Sequence, residues 1–383
     1  MLDTGMLAAT LAATATSFAA ILVLRRFAEP LGLLDHPGHR KLHAGSVPLV
    51  GGLAIFTGVL VGAFIDRHQL PHFAQILLAT STILVLVGAL DDREDLSVRM
   101  RLVVQTAAIL VMIGTTGVYI HTLGRVFGHD LVLGWLGIPL TVVAVIGLVN
   151  AFNMMDGIDG LAGGLALVCA AAILHFTNAP PAGAQFLLAL LVAAILPYLA
   201  VNLGLLGRKI FMGDAGSMLI GYLLSWILIR LSQQSGSHLS PVDVLWCVAL
   251  PVLDTLAVMF RRLREHKSPF MPDRGHIHHI LMGMGLGPRA TLIVLLALAT
   301  TIAFAGSLVR QLNLGAGSNL IAFITLMIGY IALANRTWAR QQARTMGRVQ
   351  PQSRAAAAAN DADITPMGVL ANRNTPQDGA QGS

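Results

Sequence analysis

The sequence predicts an all-α integral membrane protein of about eleven transmembrane helices, and three observations support that prediction. Only 11% of the 383 residues are charged and 55% are hydrophobic, whereas a soluble domain carries roughly 25% charged residues. Apolar runs near the roughly 20 residues that a helix needs to cross about 30 Å of hydrocarbon recur along the chain. Basic residues collect in alternate loops between these runs. An ordinary soluble enzyme and a largely disordered chain are therefore excluded.

Each predicted span is a mostly apolar run bounded by polar or basic residues. In chain order the runs centre on residues 7–24, 49–65, 74–90, 102–120, 136–152, 161–176, 184–201, 217–229, 242–260, 290–309 and 320–334. The first run could instead be a signal peptide. We interpret it as a retained span because no basic residue precedes it and Arg25 and Arg26 follow it, which reverses the charge order of a signal peptide.

The basic residues predict the orientation in the membrane. The chain has 25 lysines and arginines, and they are divided unequally between the two sets of alternate loops. One set holds only Arg67, Arg125, Arg230 and Arg310. The other set, together with the C-terminal segment, holds the rest. By the positive-inside rule the basic loops are cytoplasmic, so the N-terminus is periplasmic and the C-terminus cytoplasmic. The net charge of +6 is thereby explained without a nucleic acid partner.

The composition of the chain changes after Asn335. Residues 1–335 form the predicted polytopic domain. Residues 336–383 are rich in Gln, Arg, Pro, Asn and Asp, and we predict a flexible cytoplasmic tail with no catalytic part. No span carries a clear dimerisation motif, so the sequence leaves a homodimer open.

Five aspartates fall at the predicted cytoplasmic ends of spans or in the loops beside them: Asp91, Asp92, Asp156, Asp159 and Asp214. Carboxylates gathered at one membrane face repel one another unless a divalent cation or a cationic partner neutralises them. Solvated loop charges would account for one such pair. Five acids in Gly-rich segments beside apolar helices indicate a functional site instead.

Two of the acidic segments suit Mg²⁺ and a nucleotide. Asp91 and Asp92 directly follow an apolar run, where adjacent carboxylates can hold Mg²⁺ or act as a base. Asp214 precedes another span, and a position near a helix N-terminus suits both capping and Mg²⁺ ligation. Phe211, three residues earlier, could stack on a flat base, although such a residue is more often simply buried.

A third segment repeats polar side chains at intervals of three residues: Asn150, Asn153, Asp156 and Asp159. One helical turn would place neighbours at this spacing on one face. The alternative is a helix start with Asp159 as its N-cap. Capping leaves the two amides and the other aspartate unexplained, so we favour a ligand site.

The segment 268–279 carries Arg274 and three histidines, His276, His278 and His279. Three histidines in four residues suggest a metal site first, but zinc would require three or four convergent ligands and no cysteine is near. Anion binding by Arg274 and the histidines fits better, because the acids imply a Mg²⁺–phosphate ligand. Lys41 adds a cation beside the Gly-rich segment 47–52.

One predicted membrane face thus offers acids for Mg²⁺, cations for phosphate and apolar helices for a lipid. This combination predicts phosphoryl transfer from a soluble donor to a lipid acceptor. An intramembrane prenyltransferase would use Asp91 and Asp92 but leaves the histidines unexplained. An intramembrane aspartyl protease would need glycine in place of Phe211, and a transporter would hold its acids near the bilayer midplane.

In this order, the segments resemble the polyprenyl-phosphate N-acetylhexosamine-1-phosphate transferase family, glycosyltransferase family 4. The resemblance covers residues 31–334, and its His-Ile-His-His cluster is similar to that of the branch that makes undecaprenyl-diphosphate-GlcNAc. It rests on Arg40-Lys41 with Pro48-Leu-Val-Gly-Gly52, Asp91-Asp92, Asn150-Ala-Phe-Asn-Met-Met-Asp-Gly-Ile-Asp-Gly160, Phe211-Met-Gly-Asp-Ala-Gly216 and His276-Ile-His-His279.

The resemblance implies a reaction and its partners. UDP-GlcNAc would donate GlcNAc 1-phosphate to undecaprenyl phosphate at the cytoplasmic face of the inner membrane, releasing UMP and starting a lipid-linked envelope polysaccharide such as O-antigen. Another N-acetylhexosamine and other polymers stay open. The implied cofactor is Mg²⁺, with Mn²⁺ as an alternative ion, on Asp214 and Asn153.

The resemblance also implies roles for residues. Asp91 and Asp92 would lie by the lipid phosphate, and Asp156 and Asp159 in the nucleotide pocket. Arg101 is a weaker candidate for phosphate binding. The implied catalytic residues are Asp91, Asp92, Asp156 and Asp159, and the implied substrate-binding residues are Lys41, Asn150, Asn153, Phe211, Arg274, His276, His278 and His279.

Overall fold

The computed structural model describes residues 4–35, 45–178, 181–234, 239–268, 273, 275–313 and 315–362. In chain order the helices are α1 (Thr4–Phe27), α2 (Gly51–Ile65), α3 (His72–Glu94), α4 (Val98–Thr116), α5 (Gly137–Met155), α6 (Leu161–Thr177), α7 (Ala182–Asn202), α8 (Gly213–Gln233), α9 (Pro241–Cys247), α10 (Ala249–Arg264), α11 (Ile277–Gly283), α12 (Pro288–Gln311) and α13 (Gly315–Ala362). Two short antiparallel pairs accompany them, β1 (Leu34–Asp35) with β2 (Val47–Pro48), and β3 (Thr122–Val126) with β4 (His129–Val132).

The predicted class, an all-α polytopic membrane protein, is confirmed. Within the described ranges, eight helices are long and apolar enough to cross a membrane, and α9 with α10 makes a ninth span if the bent pair is counted as one. Two shorter apolar helices, α2 and α6, have 15 and 17 residues. Every predicted run overlaps one of these elements. The number of crossings stays a prediction.

The run predicted over 242–260 is not one continuous helix. α9 and α10 meet at Val248 with a bend of 85°. Pro251 lies in the first turn of α10, where it has no N–H to donate to the Cys247 carbonyl and its ring would clash with that carbonyl in a straight helix. The expectation of an unbroken span is therefore wrong here.

Helix α8 lies at the centre of the bundle. Of its most apolar 18-residue stretch, 89% is buried, whereas the buried share of the corresponding stretch is 61% or less in the other helices long enough to cross a membrane. It packs against α2, α3 and α5. Its approach to α2 is backbone to backbone, since a Cβ added to Gly52 would lie 2.1 Å from the Gly216 nitrogen. The first turn of α8 is therefore held against α2 without intervening side chains.

The segment before α8 is tied to the segment before α2. The Phe211 N–H donates to the Pro48 carbonyl (2.8 Å), and the Gly51 N–H donates to the Phe211 carbonyl (2.9 Å). The Gly52 N–H donates to the Met212 carbonyl (2.8 Å). These bonds join two sequence motifs that lie about 160 residues apart, and they fix where α8 begins.

The chain forms two compact units, Met1–Thr337 and Trp338–Ser383. All residues of the site described below belong to the first. In the second unit, the described residues are helical as far as Ala362. The predicted domain boundary at residue 335 and the predicted flexibility of the tail stay predictions.

Candidate active site

The two aspartates at the end of α3 face different partners. Asp91 is 6% exposed and accepts hydrogen bonds from the Leu96 N–H (2.7 Å) and from Arg101 Nη1 (2.7 Å). Asp92 accepts from the backbone N–H groups of Asp214 (2.7 Å) and Ala215 (3.3 Å). Asp91 therefore fixes the turn into α4, whereas Asp92 caps α8.

The cap on α8 explains the glycine that precedes Asp214. Gly213 has φ +73°, a conformation that favours glycine, and a Cβ there would lie 2.4 Å from Asp92 Oδ2. The carboxylate of Asp92 thus sits against the positive end of the helix dipole. Sequence reasoning offered capping as the alternative role for Asp214, but Asp92 supplies the cap and leaves the Asp214 side chain for other contacts.

Asp214 joins three helices through its side chain. Its Oδ1 accepts from Asn153 Nδ2 (2.7 Å), and its Oδ2 lies 3.4 Å from Arg101 Nη1. Asn153 also contacts Ser217 Oγ (3.1 Å). Arg101 consequently bridges Asp91 and Asp214, two residues that the sequence separates by more than a hundred positions. The weak candidate Arg101 therefore lies within the cluster.

The polar repeat that begins at Asn150 does not continue as one helix. α5 ends at Met155, and Asp156 follows as its C-cap with φ −80° and ψ 40°. Asn153 lies on the last turn of α5, and Asp159 lies in the connection to α6. The expectation that one helical turn stacks these residues is wrong beyond Asp156, because α5 ends at Met155 and Gly160, with φ +77°, turns the chain into α6.

Two further details of this segment bear on sequence reasoning, and the first supports the preference for a ligand site over an N-cap at Asp159. The N-cap of α6 is Gly160, so Asp159 does not cap the helix. Asn150 donates its amide to the Ile146 carbonyl of its own helix (2.8 Å). Asn150 lies on α5 one turn before Asn153, and its place in the site stays a prediction.

Other carboxylates surround Asp156. Burial, together with the charges of Asp214, Asp92 and Asp159, raises the pKa of Asp156 well above its usual value. The helix dipole adds to this effect, because the C-terminus of α5 is its negative end. Such a group indicates that the cluster is arranged to receive a cation or a cationic ligand.

Lys209 is the site residue that sequence reasoning missed. Its ammonium pairs with Asp159 and lies 5.5 Å from the centroid of the Phe211 ring, within reach of a cation–π contact. Phe211 itself is half-buried. A usable signal was present, because residues two apart in an extended segment point to the same side. Lys209 and Phe211 stand in that relation.

The histidine cluster begins a short helix and meets the acidic segment. His276 Nδ1 lies 2.7 Å from Asp254 Oδ2, and α11 starts at the next residue. His278 is 1% exposed, and a Cβ added to Gly157 would lie 2.2 Å from its Nε2. His278 therefore touches the turn between Asp156 and Asp159, as a shared site requires.

His278 does not behave as a cation. Burial, and then the neighbouring His279 and His276, lower the pKa of His278 to about 3. Among the described residues neither ring nitrogen of His278 has a hydrogen-bond partner. At neutral pH this ring is uncharged, so it can donate one hydrogen bond to a ligand but cannot neutralise an anion.

The cations before the histidines are engaged within their own segment. Asp273 pairs with Arg261 Nη2 (2.9 Å) and Arg262 Nη1 (2.8 Å). Burial by itself would raise the pKa of Asp273, but hydrogen bonds from Arg262 and the Gly275 N–H, with the charges of both arginines, lower it. The predicted site residues Lys41 and Arg274 lie outside the described residues.

The arrangement of oxygen ligands fits Mg²⁺ better than a closed metal centre. The described part of the chain contains no group of three or more His, Cys, Asp or Glu side chains that could hold a metal ion. Mg²⁺ is usually bound by one or two carboxylates together with substrate phosphates and waters. Asp214 and Asn153, which hydrogen-bond each other, supply a carboxylate and an amide and fit such a shared site.

Comparison with known proteins agrees with this geometry. The family model described as glycosyl transferase family 4 matches residues 74–232, which include Asp91, Asp92, Asn153 and Asp214. Relatives named undecaprenyl-phosphate alpha-N-acetylglucosaminyl 1-phosphate transferase extend the match along most of the chain.

Three of these relatives illustrate the extent of the similarity. The Yersinia pestis protein is 41% identical over 302 residues, 78% of this chain and 82% of the relative. The Escherichia coli K12 protein is 40% identical over 336 residues, 86% of this chain and 90% of the relative. The Haemophilus influenzae protein is 38% identical over 328 residues, 84% and 92% of the two chains. The chain therefore belongs to glycosyl transferase family 4.

Proposed function

We propose that this protein transfers GlcNAc 1-phosphate from UDP-GlcNAc to undecaprenyl phosphate, giving undecaprenyl-diphosphate-GlcNAc and UMP. The product would begin a lipid-linked cell-envelope polysaccharide such as O-antigen. The observation that carries the proposal is the identity of 40% with relatives named for this transfer, over 86% of the chain. The carboxylates and amide around Asp214 are the chemistry that such a transfer requires.

The reaction needs positioning and charge stabilisation more than a strong base. A phosphate monoester has its second pKa at about 6, so the lipid phosphate is already largely anionic at neutral pH. Its oxygen forms a bond to the sugar-bound phosphorus, the bond from that phosphorus to the bridging oxygen breaks, and UMP leaves. The protein must hold both phosphates in line and offset their repulsion.

The cluster at the start of α8 supplies these requirements. Arg101, held between Asp91 and Asp214, offers a guanidinium to phosphate oxygens. Asp92 fixes the first turn of α8 and thereby the position of Asp214. We assign Mg²⁺ to Asp214 and Asn153, with Mn²⁺ as an alternative ion. When bound, the ion offsets the negative charge of the diphosphate and of the acceptor.

The residues around Phe211 form the nucleotide side of the proposed site. Phe211 offers a half-buried ring for the uracil, and Lys209 and Asp159 lie at its edge. The charges of both Asp159 and Asp214 act on Asp156. The neutral His278 provides a hydrogen-bond donor to the sugar or a phosphate oxygen, next to Gly157.

The orientation follows from the basic loops. We place the protein in the inner membrane with eleven spans, a periplasmic N-terminus and the active site at the cytoplasmic face, where UDP-sugars are available. The ends of α3 and α5 and the start of α8 meet through Asp92, Asn153 and Asp214, and the positive-inside rule assigns this end of the bundle to the cytoplasm.

The proposal is tested with the full-length protein purified in detergent. Undecaprenyl phosphate, Mg²⁺ and radiolabelled UDP-GlcNAc are supplied, and label in the lipid phase and UMP in the aqueous phase are followed. We expect both products, and we expect EDTA to stop both. If the lipid is labelled from UDP-GalNAc but not from UDP-GlcNAc, the proposed donor sugar is wrong. If the lipid is labelled without release of UMP, the proposed reaction class is contradicted.

A further inference from the structure

Asp254 is a buried carboxylate that belongs to no part of the acidic cluster. It lies within α10 and is 1% exposed. Its Oδ2 lies 2.7 Å from His276 Nδ1, and its Oδ1 accepts from the Ile277 N–H (2.9 Å) and from the Tyr330 hydroxyl (3.1 Å). Three donors from two other segments therefore converge on one carboxylate, which balances its burial.

We propose that Asp254, supported by Tyr330, is a positioning residue that fixes the ring orientation and the tautomer of His276. A carboxylate only accepts hydrogen bonds, so the His276 nitrogen that faces Asp254 must carry its hydrogen. Nδ1 is thereby protonated, and Nε2 is the nitrogen left for a ligand. The inference rests on the proposed function, in which His276 contributes to binding the donor.

The contacts of His276 extend this effect to the acidic segment. Its ring is stacked on that of His278, with centroids 5.8 Å apart and an interplanar angle of 7°. His278 in turn lies against Gly157, between Asp156 and Asp159. If the His276 ring loses its fixed orientation, the donor side of the site should therefore be disturbed as well. Within the described part of the chain, the side chain of Asp91 on the acceptor side bonds to Leu96 and Arg101 rather than to these rings.

The substitution Asp254→Asn tests the tautomer with almost no change in volume. The Ile277 N–H is a backbone donor and cannot reverse, so the asparagine oxygen must stay with Ile277 and Tyr330. The amide NH₂ then faces His276, and Nδ1 has to become an acceptor with the hydrogen moved to Nε2. The variant therefore keeps the packing and reverses the tautomer.

The kinetic test uses the full-length enzyme in detergent with each substrate varied in turn. His276 holds no metal in this proposal, but carboxylates that orient metal-bound histidines give a scale, since their loss typically lowers activity about 10–100-fold. We expect Asp254→Asn to lower kcat/KM for UDP-GlcNAc by about tenfold. The KM for undecaprenyl phosphate should stay unchanged. Tyr330→Phe removes one of three bonds and should cause a smaller loss. Asp243→Asn, a buried aspartate at the other end of the bundle, is the matched control.

Two comparisons separate positioning from general structural damage. If Asp254 acts through His276, Asp254→Asn should add little to the loss already caused by His276→Gln. Additive losses, or an equal rise in both KM values, would overturn the proposal. An inactive wild-type enzyme would count against the proposed function instead, and the tautomer is then decided by spectroscopy.

The spectroscopic test does not depend on activity. The protein is labelled with ¹⁵N-histidine, and the His276 signals are identified as those lost in His276→Gln. We expect the wild type to show protonated Nδ1 at His276 and Asp254→Asn to show protonated Nε2. Identical His276 signals in the two proteins would refute the inference, whether or not UDP-GlcNAc is the donor.

Discussion

Two groups of acidic and polar side chains lie at opposite ends of the helix bundle, and they are built differently. Around Asp214, the side chains of Asp214 and Asp159 are each 33% exposed, and the acids outnumber the described cations that touch them. Around Asp243, the carboxylate is 4% exposed and each of its two oxygens accepts a hydrogen bond.

The pairing at Asp243 forms a closed network. Its Oδ1 accepts from Asn319 Nδ2 (2.9 Å), and its Oδ2 accepts from the Ser240 N–H (3.0 Å) within a capping box. Asn319 Oδ1 accepts from Trp246 Nε1 (2.8 Å), and Arg310 Nη1 lies 3.7 Å from Asp243. This network ties α9 to α12 and α13. The comparison teaches that a buried aspartate with all its bonds made is structural, whereas the half-open, like-charged group indicates a ligand site.

The largest effect should come from the open group. Asp214→Ala removes the carboxylate that we assign to Mg²⁺, and because one lost electrostatic contact at a reacting centre typically costs about 10²–10³-fold, we expect a loss of at least that size. UMP release measures it. The melting temperature should change little, and wild-type turnover in this variant would remove Asp214 from the site.

The closed group should respond in the opposite way. Asp243→Ala leaves the Asn319 amide and the Ser240 N–H without their acceptor, at about 1–3 kcal/mol for each buried group left unpaired. We expect a clear fall in melting temperature with normal activity per folded molecule. Thermal unfolding in detergent provides the measurement, and a selective loss of kcat would show that the two ends are coupled.

A pH series sharpens the comparison through Asp156. Because its pKa is raised in the folded protein, the folded state binds more protons than the unfolded state between the two pKa values, and stability falls as pH rises through that window. Without Mg²⁺ at pH 8, the Asp156→Asn variant should have a higher free energy of unfolding than the wild type, and therefore a higher melting temperature. The difference in free energy of unfolding should shrink toward pH 5, by no more than about 1.4 kcal/mol per pH unit. A difference that is constant with pH would contradict the raised pKa.

Lys209 should have a modest effect because its pair with Asp159 is about one-third exposed. Exposed ion pairs contribute about 0.2–1 kcal/mol, so Lys209→Met should raise the KM for UDP-GlcNAc by up to about fivefold. Arg208→Met, the neighbouring basic residue, is the control. Equal effects of both changes would indicate general loss of positive charge.

The smallest effect is expected from the C-terminal segment, which belongs to neither group. Deletion of residues 348–383 should leave UMP release and melting temperature nearly unchanged, because the tail carries no predicted catalytic residue. Total loss of activity would show that the segment takes part in the reaction or in folding.

The sequence by itself determined the membrane class, the positions of the apolar helices, the five aspartates that we assign to the site, and the family. These follow from apolar composition, from charge and from the sequences of the motifs, all of which are local properties of a few neighbouring residues. Only the tertiary structure decided that Asp92 caps α8 while Asp91 holds Arg101. It also revealed Lys209 beside Asp159 and Asp254 behind His276. Such contacts join residues that are from ten to more than a hundred positions apart, and the spacing of residues along the chain did not predict them. The bend at Val248 was also missed, because apolar composition does not register a missing N–H at Pro251.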